Sequence, residues 1–116
     1  MYLGTPNAVR DMMYVDDHAN AYLTMLKTKV VNDTFNFGTG SKTPMKEIAE
    51  KLRKITGFRG KIVHSFPPSY PWRPVVEDFL SLDSGKAKKK LNWKPKYSLD
   101  AGLKMVVEYW KEKLGA

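Results

Sequence analysis

The chain has 116 residues, 42% of them hydrophobic, no cysteine and a formal net charge of +8. That length suits one domain with a core and excludes a dinucleotide-binding domain plus a substrate domain, while the lack of cysteine excludes disulfide frameworks, thiolate metal sites and cysteine nucleophiles. The charge is uneven, with eight basic and six acidic side chains in residues 1–58 against twelve and six in residues 59–116, a field that suits nucleic acid, an anionic surface or a phosphorylated small molecule without choosing among them.

In chain order, Gly4-Thr5-Pro6-Asn7 is turn chemistry, so Met1–Leu3 and Val9–Val15 are expected to form a hairpin. Asp16 and Asp17 then read as an N-cap, followed by Ala19, Tyr22, Leu23 and Leu26 at the spacing of one apolar helix face that needs burial. Asn32-Asp33 is a turn signal, and Thr34–Phe37 is a strand candidate ending at Gly38-Thr39-Gly40. Thr43 is expected to cap the next helix, with Pro44 at its first position, Met45, Ile48, Ala49, Leu52 and Ile55 keeping the 3.6 period, and Gly57 stopping it.

Lys61–Phe66 is another strand candidate, and Pro67, Pro68, Pro71 and Pro74 mark an irregular loop before an extended Phe79–Leu82. Asp83 is expected to cap a short helix through Leu91, and Ser98 a last one through about Leu114 with Leu99, Leu103, Val106, Val107 and Trp110 on one face. Helices alternate with short strands, which gives an α/β class with a small sheet and about four helices. No apolar run approaches the roughly 18 to 20 residues that cross a bilayer, and the N-terminus has no basic region before an apolar core, so the sequence reads as a soluble cytoplasmic protein.

Several patterns invite chemistry. Gly38-Thr39-Gly40 sits where a phosphate-binding turn belongs, but Thr43 occupies the third glycine's place and Phe58 and Arg59 stand where a ribose-binding acid is needed, so it reads as a structural turn. Tyr109 and Lys113 match Y-x-x-x-K, at the end of the chain and without the strand and serine that accompany a catalytic pair. His18 beside Asp16 and Asp17 does not converge on a metal, because consecutive helical residues point about 100° apart, and His64 has no partner nearby in sequence. Lys86–Lys96 holds six lysines around Trp93, which admits phosphates and a stacked base but equally a solvated helix face.

Two blocks carry a resemblance. Arg10, Asp11, Tyr14, Val15, Asp17 and Ala21 stand in the order of a run found in the extended short-chain dehydrogenase/reductases, the NAD-dependent nucleotide-sugar epimerases and dehydratases. Arg73-Pro74, Asp83-Ser84-Gly85-Lys86-Ala87, Leu91-Asn92-Trp93-Lys94-Pro95, Ser98-Leu99, Gly102-Leu103 and Tyr109-Trp110 resemble that family's C-terminal signature over more than forty residues. The flavour is nearest the sugar-nucleotide 4,6-dehydratases.

The resemblance implies a C-terminal, substrate-binding part of such an enzyme, as one unit over residues 1–116, with the Rossmann half and the catalytic serine, tyrosine and lysine absent. It implies that Arg10 and Arg73 meet the diphosphate of a nucleotide sugar, with Met12 where an aromatic often contacts the nucleotide. Guanidinium forks suit phosphate oxygens; the plain alternative is a surface ion pair with Asp11 or Glu77. Val75 and Val76 replace a glycine and an acid that commonly follow Arg-Pro. The expected partners are a nucleoside diphosphate sugar, a second copy and a separate NAD-binding chain, with NAD belonging to the intact family and none bound by this chain. A small basic nucleic-acid-binding module is the alternative from another class.

Overall fold

The computed structural model describes residues 1–71, 74 and 78–116. Among them run β1 (Val9–Arg10), α1 (Val15–Lys27), β2 (Thr43–Pro44), α2 (Met45–Thr56), α3 (Gly85–Leu91) and α4 (Leu99–Leu114), which is the expected small sheet with four helices. α4 begins where the Ser98 hydroxyl accepts the Ala101 amide at 3.2 Å. α2 ends at Gly57, whose φ of 68° lies in the left-handed region that a glycine enters without strain.

The other helix starts differ from the expected caps. Thr43 is buried and pairs in β2, and Pro44 precedes α2; the Met45 and Lys46 amides donate to the carbonyls of Ala8 and Pro6 at 3.0 and 2.9 Å. Asp16 and Asp17 lie inside the first turn of α1, with Tyr14 at the cap position. Ser84 holds that position for α3, and Asp83 instead accepts the Gly85 amide at 2.7 Å.

The expected N-terminal hairpin is replaced by long-range pairing. Tyr2 bridges Val63 in parallel, while β1 runs antiparallel to β2 on one edge and bridges Phe79 in parallel on the other. Gly4 serves a close approach: a Cβ there would lie 2.2 Å from the Phe66 ring. Thr34–Phe37 and most of Lys61–Phe66 form no ladder among the described residues. Phe37 instead packs edge-on against Trp93 at 4.9 Å, with Phe35 beside it.

The core is thin and built largely of small residues: Ala8, Ala21, Ala49 and Ala87, with Ile48, Trp93 and Val107. α1 turns its Asp17 and Ala21 side inward, so the apolar face expected to be buried is the exposed one, with Tyr22, Leu23 and Leu26 at 65%, 50% and 81%. The reason lies in what is available to cover it. A compact 116-residue chain has a radius of gyration of about 13 Å and a surface of about 6,500 Å², against 17.1 Å and 8606 Å² here. The fold is a slab of 51 × 36 × 21 Å. Of the described residues, no helix is long and apolar enough to cross a membrane.

Candidate functional site

β1 leads directly into the site. At its end the Asp11 carboxylate gathers donors from two distant segments: Oδ1 takes the Thr39 amide at 3.1 Å and the Thr39 and Ser41 hydroxyls, and Oδ2 takes the Gly40 and Leu82 amides at 2.9 and 3.3 Å. Partial burial pushes this carboxyl up, but the hydrogen bonds from Thr39, Gly40 and Leu82 outweigh it and hold it below its ordinary value. A parallel ladder would extend from Leu80 N on Val9 O by pairing the Leu82 amide with the next main-chain carbonyl; the Asp11 side chain takes that amide instead.

The Gly38–Gly40 turn is thereby closed to phosphate. Gly38 exchanges hydrogen bonds with the Ser84 hydroxyl at 2.7 and 2.8 Å, the next two amides belong to Asp11, and a Cβ on Gly38 would lie 2.6 Å from the Asp11 carboxylate. The residues present do not fit a dinucleotide pyrophosphate, since the amides that would cradle it already face a negative charge.

Arg10 is placed by the strand beside it. Its Nη1 donates to the Val9 and Asp78 carbonyls at 2.9 and 3.4 Å and lies 2.5 Å from the Asp78 carboxylate. The ion-pair partner among the described residues is thus Asp78, while Asp11 is engaged elsewhere and Glu77 lies outside them. Arg73 lies outside them too. Met12 is 37% exposed and lines an apolar cavity of about 170 Å³ with Met13, Tyr14, Ile48, Leu99 and Leu103. A groove of about 590 Å³ runs between the glycine turn, Phe79, Leu82 and Trp93, with Lys42, Lys88 and Lys94 among its lining side chains. Of the expected site residues, the structure describes Arg10 on β1 and Met12 in the segment after it, and shows no contact between them.

Asp17 is the second acid that sequence reasoning placed wrongly. It is 1% exposed, and its two oxygens accept the amides of Lys96 and Tyr97 at 2.8 and 3.0 Å. The readable signal is spacing: Asp17 and Ala21 are four apart, on the opposite side of the helix from Tyr22 and Leu26. In the lysine-rich segment, Lys86 and Lys90 both pair with Asp33 and hold its carboxyl far below the ordinary range. Two of the six lysines are thus spoken for. Tyr109 and Lys113 sit exposed on the last turns of α4, with Nζ 5.7 Å from the ring centroid. Among the described residues no three of His, Cys, Asp and Glu come together to hold a metal ion.

A model of the family described as GDP-mannose 4,6 dehydratase matches residues 1–106. The chain is 34% identical over 108 residues to a putative UDP-glucose 4-epimerase of Methanocaldococcus jannaschii, covering 93% of this chain and 33% of that protein. The crystal structure of UDP-glucose 4-epimerase from Thermotoga maritima with UDP-glucose superposes with a TM-score of 0.84 and 38% identity, over 98% of this chain and 35% of that one. The Bordetella bronchiseptica enzyme WbmF in complex with NAD+ and UDP superposes with a TM-score of 0.76 at 27% identity, over 95% and 31%. The chain spans about a third of the length of these relatives.

Proposed function

Because the chain belongs to the GDP-mannose 4,6-dehydratase family of NAD-dependent nucleotide-sugar epimerases and dehydratases, we propose that residues 1–116 form one unit that binds a nucleoside diphosphate sugar and does not catalyse alone. Arg10 and Arg73 meet the diphosphate and Met12 lies against the nucleotide. The observation that carries this reading is the superposition, over 98% of the chain, on an epimerase crystallised with UDP-glucose. In support, the described residues hold Arg10 by one side of its guanidinium only.

NAD belongs to the remaining two thirds of such an enzyme, whether as a separate chain or as more of the same polypeptide. It supplies the hydride chemistry there. This chain's contribution is to hold the sugar nucleotide by its charged middle, which fixes the sugar relative to a catalytic partner. The exposed face of α1 is the surface that such a partner covers, and in its absence a second copy covers it.

Chemical-shift titration with UDP-glucose and GDP-mannose tests the reading. Binding is expected to be weak, with shifts around Arg10 and Met12, and Arg10→Ala or Arg73→Ala each weakens it by about 1.5 to 3 kcal/mol, the cost of losing one charged hydrogen-bonding group. Shifts that ignore both arginines and cluster at Lys86–Lys96 would overturn it.

A further inference from the structure

Asp78 is not among the residues that carry the family resemblance, yet it offers Arg10 both a carbonyl and a carboxylate. The Arg10 Nη1 donates to the Val9 and Asp78 carbonyls at 2.9 and 3.4 Å and forms an ion pair with the Asp78 carboxylate at 2.5 Å. Nε and Nη2 have no acceptor among the described residues. The side of a guanidinium formed by Nε and Nη2 is one that meets two oxygens of a phosphate through parallel hydrogen bonds. Among the described residues all of the retaining contacts fall on the far nitrogen, and none occupies the side able to grip an anion.

The arrangement does not depend on the Asp78 side chain for its place. The Val9 amide donates to the Asp78 carbonyl at 2.9 Å and the Leu80 amide to the Val9 carbonyl at 3.1 Å, so the main chain alone keeps residue 78 opposite β1. The Asp78 side chain is 51% exposed and that of Arg10 30%. Removing the carboxylate therefore strands no buried charge, and its effect on Arg10 can be separated from folding.

We propose that Asp78 is a positioning residue for Arg10: it grips one guanidinium nitrogen so that the Nε and Nη2 side is presented to the diphosphate of the ligand. This deepens the nucleotide-sugar reading and rests on it. The alternative sign is competition, in which the carboxylate occupies the arginine and must be displaced by the anion.

The test uses the whole 116-residue chain, titrated with UDP and with uridine, in wild type, Asp78→Ala, Asp78→Asn, Arg10→Ala and the Arg10→Ala/Asp78→Ala double variant. Asp78→Ala is expected to weaken UDP about threefold, the scale of an exposed ion pair, and to leave uridine unchanged. Asp78→Asn, which keeps an oxygen acceptor, recovers part of the loss. In the Arg10→Ala background the Asp78 substitution costs nothing further, which a merely structural role would not predict. Tighter UDP binding by Asp78→Ala, or a threefold loss that persists without Arg10, overturns the proposal. A second readout needs no nucleotide: relaxation of the Arg10 Nε–H signal is expected to show a restricted guanidinium in wild type and a freer one in Asp78→Ala. A wild-type chain that binds no UDP overturns the nucleotide-sugar reading, and Arg10 motion indifferent to Asp78 overturns the grip itself.

Discussion

The two faces of α1 and its flanks reverse the usual division of labour in a small protein. On the inner side, carboxylates hold the chain together: Asp11 ties the 39–41 and 82 segments to the end of β1, and Asp17 ties the helix to residues 96 and 97. On the outer side, Tyr22, Leu23 and Leu26 face water. The difference teaches that this fold is held in place by a few charge-assisted hydrogen bonds, while much of its apolar surface is reserved for contact with something else.

Breaking the polar side gives the largest expected effect. Asp11→Ala leaves the Thr39, Gly40 and Leu82 amides without their acceptor and is expected to cost about 4 kcal/mol, read as a lower denaturation midpoint in urea. Asp17→Asn comes next. One amide of the Lys96–Tyr97 pair would then face an NH₂ group, and a loss of about 2 kcal/mol is expected from the same measurement.

Acid sharpens the comparison further. Asp11 and Asp33 both have carboxyls below their ordinary value of 3.8. Their stabilising contribution is therefore complete above that value and is lost as pH falls through the lower folded-state values. Thermal scans between about pH 5 and about pH 2 should show wild type losing stability faster than Asp11→Asn, which has no carboxylate at position 11 to protonate. An identical acid dependence would remove Asp11 from the account.

On the apolar side the expected change in stability is smallest. Leu23→Lys and Leu26→Lys should each shift the unfolding free energy by less than about 0.5 kcal/mol, yet abolish the concentration-dependent association that sedimentation equilibrium should reveal for wild type. A wild-type chain that stays monomeric at high concentration would mean that this face needs no second copy.

How much of this was legible in the sequence follows from the range of each interaction. α2 and α4 could be read closely, since Gly57 and Ser98 act within one helical turn. The period of α1 was legible too, but a period names a face without naming what covers it, and Tyr22, Leu23 and Leu26 are exposed. β1 falls within the extended Val9–Val15 stretch read from the sequence, but its pairing was not legible, because Val9 is chosen as a partner by Pro44 and Phe79 across the whole chain. At the site, Arg10 was visible through its motif, whereas its partner Asp78 carries no local signal. Asp11 and Asp17 were read as an alternative ion-pair partner and a helix cap; that both accept main-chain amides 28 to 80 residues away is a fact of tertiary structure.

The Asp17 brace has a consequence for how the chain is made. Its partners Lys96 and Tyr97 follow it by 79 and 80 residues, so during synthesis α1 emerges from the ribosome with an unpartnered carboxylate on the side it must bury. At a few to about twenty residues per second, the missing amides arrive only several seconds later. Until then both sides of that helix stay accessible to chaperones, and closing so long a loop makes docking of the 96–97 segment a late event in folding.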